Sequence, residues 1–232
     1  MEREFSVNFG SYNTWTDWHL IPAARPIVMP PEEKTHDIEL PCGNGVIDAA
    51  QALTGYPVYK NREGSWDFYI ENDIEPFVTI YHKMLAALSG RTLRVSLEED
   101  PAYFYEGKCR VSNPKQNNGH TMVTINYDLK PYKHKFSEVG KTVTHTVNGT
   151  KTLFSGNVSD FSDEPVCPKF RVTLSSGTGM TVEFVTPNLR YSTVLTNGTW
   201  ANPAIMLIPH QTATITAKGN GTIKFQANGG WF

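Results

Sequence analysis

The sequence predicts an α+β domain over residues 1–135, followed by an all-β domain over residues 136–232. Three features support this: one segment with helical periodicity, several segments with strand alternation, and a change in composition near residue 135. Residues 1–135 carry 14 Lys and Arg against 18 Asp and Glu, a net charge of −4. Residues 136–232 carry 7 against 5, a net charge of +2, and they are dense in Thr and Gly. Asp128–Lys135 is therefore predicted to be the exit from the first domain.

One helix is predicted at about residues 76–89. Its apolar residues recur three and four positions apart, which places them on one helical face. Pro76 suits the first turn of a helix, and Gly90 suits the position just past its end. The apolar residues are Phe77, Ile80, Tyr81, Met84, Leu85 and Leu88. We expect this helix to cover a sheet.

Strands of the first domain are predicted where apolar and polar residues alternate, the pattern of a half-buried strand. The segments are Ser65–Ile70, Arg91–Leu97, Glu106–Val111 and Met122–Tyr127. The last two are expected to form a hairpin across Asn113–Gly119. Strands combined with one helix predict an α+β, mostly antiparallel domain.

The second domain is predicted to be a β-sandwich of eight short strands. The alternating runs are Lys141–Val147, Lys151–Phe154, Lys169–Leu174, Met180–Val185, Tyr191–Leu195, Ala204–Ile208, Gln211–Ala217 and Thr222–Ala227. Gly-containing pairs at 148–149, 176–177, 197–198 and 220–221 are expected to form the tight turns between them, since such pairs tolerate positive φ. Eight short strands in about 95 residues favour a sandwich.

Composition argues against several classes of protein. The net charge of −2 lacks the basic footprint of a nucleic-acid binder. No run of about 18 apolar residues encodes a membrane span, and the N-terminal residues lack the apolar segment of a signal peptide. The cysteines Cys42, Cys109 and Cys167 are far apart, which predicts reduced thiols in a protein made in a cytoplasm.

No catalytic, cofactor-binding or metal-binding motif stands out. The seven histidines form no ligand-spaced pair on a helix. The acidic run Glu98–Asp100 is the best candidate for a glycoside-hydrolase pair, but its place just before Pro101 fits a solvated strand end better. The sequence therefore predicts no catalytic residue, no cofactor and no metal, and hence a protein that is not an enzyme.

Two segments of the first domain have an unusual composition. Gly10–Pro26 and Ala52–Phe68 are rich in Trp, Tyr, Gly, Pro and Arg, and neither has the period of a helix or of a clean strand. Aromatic residues and arginine on irregular backbone are typical of contact surfaces. This composition indicates a protein that touches other proteins.

These segments closely resemble the distal tail protein (Dit) family of long-tailed bacteriophages. The matching stretches occur in the family's order and cover most of residues 5–134. They are Phe9–Leu20, Arg25–Pro26, Leu53–Tyr59, Asn61–Phe68, Asp100–Gly107 and Ile125–Tyr132. The stretch Cys42–Ala50 departs from the family's pattern, so the contacts made there are the least transferable.

The resemblance implies a structural protein of the virion, made in the host bacterial cytoplasm. It implies a homohexameric ring at the distal end of the tail tube, with the first domain forming the ring (the belt) and a galectin-like sandwich outside. The implied partners are the tail tube protein, the tail-tip or tail-lysin hub protein, and receptor-binding or baseplate proteins. The genome is expected to pass through the lumen without specific binding, which the −4 charge of the first domain is compatible with.

Five residues of the two unusual segments are predicted to contribute to subunit or partner contacts, because a cyclic ring needs two different complementary patches. They are Trp15, Trp18, Tyr56, Tyr59 and Arg62. A second interpretation stays open, in which Trp15 and Trp18 cap the sheet of their own domain. Trp66, which alternates with Phe68, is assigned to the core.

A carbohydrate-binding module is the alternative function. Sugar sites use aromatic platforms beside polar groups, and the C-terminal domain offers Tyr191, Trp200 and Trp231 for such a platform on a host-surface glycan. The same residues also suit the core or edge of a sandwich, so both interpretations remain open.

Overall fold

The computed structural model describes residues 5–39, 41, 44–70, 75–112, 114–117 and 120–232. The chain is mostly antiparallel β-structure with few helices, as the sequence predicts. It divides into two compact units, one ending at Phe136 and including Phe232, the other spanning Ser137–Trp231. Cys42 and the positions Asn113 and Gly119 of the predicted hairpin loop lie outside the described residues.

The first unit is built on a nine-stranded antiparallel sheet. Its elements in chain order are β1 (Val7–Phe9), β2 (Tyr12–Asn13), β3 (Leu20–Pro22), β4 (Asp37–Glu39), β5 (Val46–Asp48), α1 (Ala49–Thr54), β6 (Arg62–Ile70), α2 (Phe77–Leu88), β7 (Thr92–Leu97), β8 (Tyr103–Val111), β9 (Lys115–Asn117), β10 (His120–Leu129) and β11 (His134–Lys135). The sheet runs β2-β1-β7-β8-β10-β6-β3, with β11 paired to β8 and β9 paired to β10. Strands β4 and β5 form a separate two-stranded sheet.

Helix α2 confirms the helical prediction almost to the residue. Pro76 stands at its N-cap, and Gly90 follows the C-cap residue Ser89 with φ +71°, a conformation that glycine adopts without steric cost. The predicted apolar face buries Ile80, Met84 and Leu88 in the core of the first unit, where Phe77 and Tyr81 pack beside them. Short helix α1 was not predicted, and none of its residues is buried.

The predicted strands of the first unit are also present, at somewhat greater length. Strand β10 pairs with both β8 and β6, so the expected antiparallel pairing of the 106–111 and 122–127 segments is confirmed. Trp66 and Phe68 are buried in the core, as predicted. The opposite faces of β6, β8 and β10 are mainly polar and exposed, apart from the buried Phe104 of β8. The sheet therefore has one core face and one solvent face.

The second unit is one five-stranded antiparallel sheet with three long strands. Its strands are β12 (Val143–Asn157), β13 (Lys169–Val185), β14 (Arg190–Leu195), β15 (Gly198–Ala201) and β16 (Thr212–Gln226), in the order β12-β16-β13-β14 with β15 also on β13. Two 3₁₀ turns, Phe136–Glu138 and Val158–Asp160, lie before and after β12.

Three of the four predicted tight turns of this unit are wrong, because they lie inside long strands. Asn148–Gly149 lies inside β12 and pairs with Asn220 and Gly219 inside β16, while Ser176–Gly177 lies inside β13. Asn197–Gly198 links β14 to β15, which pair with β13 and not with each other. Several of the eight predicted strands are therefore halves of longer ones.

Glycines allow these long strands to bend. Gly221 has φ +149°, and a Cβ there would stand 2.3 Å from the carbonyl oxygen of Thr173 on the paired strand, so no other residue fits. Beyond this point the register between β13 and β16 shifts. Residues from both halves of the sheet, including Val172 and Val182, then share one buried cluster. Gly221 thus has the positive φ that the sequence predicts, but it lies at a bend within a strand and not in a turn between two strands.

Candidate contact surfaces

The tryptophan turn (residues 10–20) is held to its own domain by hydrogen bonds. The Asn13 side-chain oxygen accepts from the amides of Trp15 (2.8 Å) and Thr16 (3.0 Å). The fully buried Thr14 hydroxyl accepts from the Val7 amide at 2.9 Å, and the Leu20 amide donates to the Thr14 carbonyl. Asn and Thr are the residue types that form such local bonds. The irregular backbone of this segment is thus a fixed turn.

This turn buries Trp18. Its side chain is 1% exposed and stacks between Phe9 and Tyr12, with ring centroids 5.8 Å from each. Trp18 therefore caps the sheet of its own domain, and it is not available to a neighbouring subunit as the contact hypothesis assumed. Trp15 is partly exposed, and its ring meets the edge of His19. The contact role of Trp15 stays a prediction.

The segment that follows β3 has no regular structure, but side chains of the sheet hold it. Trp66 Nε1 donates to the Ile27 carbonyl at 2.8 Å, and the Tyr127 hydroxyl accepts from the Met29 amide at 3.0 Å. Arg62 donates to the carbonyls of Pro131 (2.7 Å) and Met29 (3.1 Å). The sheet therefore positions the point at which the chain leaves it.

Arg62 is an interior residue and not a surface contact. It is 5% exposed, its guanidinium lies over the Tyr105 ring at 5.2 Å, and burial lowers its pKa. A buried cation that donates to two carbonyls fixes backbone. The predicted contact role of Arg62 is corrected accordingly: its chain-internal partners occupy it.

Residues 31–60 form an arm that leaves the sheet and returns to it. At its base, the Lys34 amide donates to the Val58 carbonyl and the Lys60 amide to the Glu32 carbonyl, each at 2.7 Å. Tyr56 and Tyr59 stand at this base and are half-buried. The Tyr59 ring contacts Tyr132 edge-on at 6.0 Å, and burial raises the pKa of its hydroxyl. The contact role of Tyr56 and Tyr59 stays a prediction.

The outer part of the arm exposes apolar side chains. Leu53 on α1 is 88% exposed, and Ile38, Val46 and Ile47 of the β4–β5 hairpin are exposed as well. None of these residues is among the contacts predicted from the sequence, because that prediction rests on aromatic residues and arginine. The signal in the sequence is that these apolar residues lie in a short segment with too few apolar neighbours to form a core. Exposed apolar residues gathered on one projection are typical of an interaction site.

The hairpin of the arm has two different faces. Strands β4 and β5 pair Ile38 with Ile47 on one, apolar face. The other face carries the pairs Asp37–Asp48 and Glu39–Val46, so it is acidic with one exposed valine. Asp48 also caps α1: its carboxylate accepts from the amides of His36 (3.0 Å) and Ala50 (2.9 Å). These bonds, the one from His36 foremost, lower the pKa of Asp48.

The proposed aromatic platform of the second unit is dispersed over different elements. Trp200, on β15, is 39% exposed, and its indole nitrogen donates to the Thr196 carbonyl at 2.9 Å. Tyr191, on β14, accepts from the Asn202 amide at 2.9 Å. The cavity of about 290 Å³ in this unit is lined instead by Phe154, Phe161 and Phe225 with Glu138, Lys141 and Asn228 among others. None of Tyr191, Trp200 and Trp231 lines it.

The acidic run at residues 98–100 and Cys109 lie in structural positions of the first unit. Glu99 pairs with Arg25 and Asp100 with Lys133, at 2.7 and 2.8 Å, so these acids tie loops of the first unit together. Burial raises the pKa of the Cys109 thiol to about 12. Within the described ranges, no group of three or more His, Cys, Asp or Glu side chains is arranged to hold a metal ion. No helix in this part of the chain is long and apolar enough to span a bilayer.

Comparison with protein-family models and with curated proteins gives no match. Three solved chains do match the structure. One is the Dit (gp 19.1) protein of phage SPP1, described as a paradigm of the hub adsorption apparatus in phages that infect Gram-positive hosts. It is 13% identical, the match covers 96% of this chain and 98% of that one, and the TM-score is 0.64. The predicted likeness to the distal tail protein family is thereby confirmed at the level of the fold: this chain has a Dit-like fold along nearly its whole length.

Proposed function

We propose that this protein is a structural component of a phage tail and forms a hub at the distal end of the tail tube. The observation that carries the proposal is the Dit-like fold, which extends over both units and not over one of them alone. A shared fold does not by itself fix a function, so the proposal also rests on surfaces suited to assembly. The arm supplies such a surface, because its apolar residues are exposed in the single chain.

In this proposal the first unit forms a homohexameric ring, and the belt domain is residues 1–135. The arm, with Trp15, Tyr56 and Tyr59, belongs to the surface that meets a neighbouring subunit or another tail component. The second unit, proposed as a galectin-like domain over residues 136–232, faces receptor-binding or baseplate proteins. The tail tube protein and the tail-tip hub protein bind opposite sides of the ring, and the genome passes through its lumen without specific contacts.

The experiment is negative-stain electron microscopy of the purified full-length protein, with its mass measured by light scattering. Rings with six-fold symmetry and a central hole are expected. A protein that stays monomeric at the highest concentration reached would overturn the self-assembling hub. Rings of another order would overturn the hexamer and leave the hub in place.

A second candidate function is host-glycan binding by the second unit. It rests on the exposed Trp200 ring, which offers a flat apolar surface of the kind that sugars stack on. The test compares the full-length protein with Trp200→Ala on an array of host-wall glycans. Binding that Trp200→Ala abolishes supports the candidate, whereas no binding by the unaltered protein removes it.

A further inference from the structure

The solvent face of the nine-stranded sheet carries a groove whose charges are segregated. Lys108 and Arg110 project from β8, while Asp128 on β10 and Glu63 on β6 stand across from them. Residues that are directly opposite in paired strands lie on the same face, so these four side chains surround one depression. Its volume is about 430 Å³.

Neither cation of this groove forms an ion pair among the described residues, although Asp128 and Glu63 line the opposite edge. Lys108 and Arg110 are both exposed, and within the part of the chain that the structure describes neither has a carboxylate within 4 Å. Lys108 lies opposite Asp128 in register, but the Asp128 carboxylate accepts instead from the side-chain Nδ2 of Asn61 at 2.7 Å. The β8 edge of the groove thus presents two exposed cations that form no ion pair with any residue the structure describes.

The arm carries the matching negative edge. Asp37 and Glu39 lie on one strand of its hairpin, both are exposed, and neither has a cation within 4 Å among the described residues. The whole stretch 37–48 contains three carboxylates and no Lys or Arg. Within this stretch, therefore, no Lys or Arg compensates the negative charge.

The spacing of the two edges is the same. Asp37 and Glu39 are two residues apart on a strand, as are Lys108 and Arg110. Side chains two positions apart on a strand leave the same face about 7 Å from each other. Two carboxylates and two cations with equal spacing can form two ion pairs at once, which gives a defined register as well as attraction.

We propose that Asp37 and Glu39 of one copy of this chain dock on Lys108 and Arg110 of a second copy. The inference rests on the proposed self-assembly and adds to it the pair of patches that meet. Because the two patches are different surfaces of the same molecule, each copy offers one to each neighbour. Such head-to-tail contacts close into a ring when the rotation between copies allows it. The acidic face of the hairpin then lies in the groove of the next subunit.

The test is a charge-reversal cycle in the full-length protein. Lys108→Glu with Arg110→Glu is expected to weaken self-association by about tenfold, since two exposed ion pairs are replaced by like-charge contacts. Asp37→Lys with Glu39→Lys is expected to do the same. Combining all four substitutions restores opposite charges, so association is expected to return toward the wild-type value. The wild-type interaction is also expected to weaken as salt is raised.

A matched control reverses two exposed cations elsewhere. Arg171 and Lys224 lie opposite each other on β13 and β16 of the second unit, and Arg171→Glu with Lys224→Glu is expected to leave association unchanged. The docking is overturned if the control loses as much association as the test variants do. It is also overturned if the variant with all four substitutions does not recover association while each protein stays folded. If all variants assemble like the wild type, the docking is overturned and the hub stands. A wild-type protein that never associates overturns the hub itself.

Discussion

The tryptophan turn and the arm are neighbours in sequence but opposites in structure. Both are irregular connections that interrupt the strands of the first unit. The turn is held by side-chain hydrogen bonds from Asn13 and Thr14 and buries Trp18. The arm is tied to the domain at its base, and beyond that base Leu53 and the hairpin residues are exposed.

Amino-acid composition alone therefore does not distinguish a buried structural segment from a contact surface. Large aromatic residues suit both, because they bury much area in either setting. What separates them is where the polar groups of the backbone find partners. In the turn, Thr14 exchanges hydrogen bonds with Val7 of β1, which ties the turn to the sheet. In the outer arm, the hydrogen bonds among the described residues join one part of the arm to another. The predictions below test this contrast by their effect on the free energy of unfolding, starting with the largest.

Trp18→Ala is expected to destabilise the first unit by about 3–5 kcal/mol, because a large cavity opens beside Phe9. Chemical denaturation followed by circular dichroism measures the change. The matched control is Trp15→Ala, which is expected to cost less than about 1 kcal/mol because Trp15 is partly exposed. Equal losses for the two variants would contradict the placement of Trp18 in the core.

Arg62→Met is expected to cost about 1–3 kcal/mol, since the carbonyls of Met29 and Pro131 lose a charged donor. The loss is limited because Nη2 of Arg62 has no hydrogen-bond partner in the described structure. Hydrogen exchange is expected to speed up first at the amides of Lys34 and Lys60, at the base of the arm. Lys60→Met removes only the exposed ion pair with Glu32, and exchange as fast in that control would show that Arg62 does not anchor the arm.

The sequence predicted the elements whose signal is local. Helix α2 follows from its apolar period, and strands such as β6 follow from alternation that matches one buried face. The bends of the second unit were missed because Asn148–Gly149 satisfies the same positive φ in a hairpin and in a bent strand. The choice between them depends on pairing between β12 and β16, which are far apart in sequence.

The burial of two predicted contact residues was missed for a related reason. Tyr56 and Tyr59 lie at the base of the arm, but Trp18 and Arg62 are interior, since burial of a large side chain depends on partners from other strands. The exposure of Leu53 could not be predicted, because the identity of a leucine does not show whether it is buried. Only the absence of buried residues along α1 identifies it.

Asp48 gives the arm a pH dependence. Its pKa in the folded arm is lowered by the amide bonds from His36 and Ala50. A depressed pKa stabilises the arm above the ordinary carboxyl pKa of about 4 and loses that contribution as the pH falls through the folded value. After correction for the intrinsic slowing of amide exchange in acid, the protection of the α1 amides is therefore expected to fall as the pH is lowered. Asp48→Asn, which keeps a capping oxygen without the titration, is expected to flatten this profile, and an unchanged profile would assign the transition to another group.

Leu53→Gln is expected to have the smallest effect on unfolding and a large effect on assembly. The side chain is 88% exposed and glutamine suits a helix, so the free energy of unfolding is expected to change by less than about 0.5 kcal/mol. If a neighbouring subunit covers the arm, losing a buried leucine there weakens association by about tenfold or more. Sedimentation velocity measures this.

Leu189→Gln, at an exposed apolar residue of the second unit, is the control for surface polarity as such and is expected to leave association unchanged. Loss of association in both variants would mean that general apolar stickiness holds the copies together. Loss of association in Leu53→Gln alone, with the free energy of unfolding unchanged, would show that the arm acts in assembly and not in folding. A core residue of the tryptophan turn such as Trp18 is expected to behave differently, because its replacement also destabilises the domain.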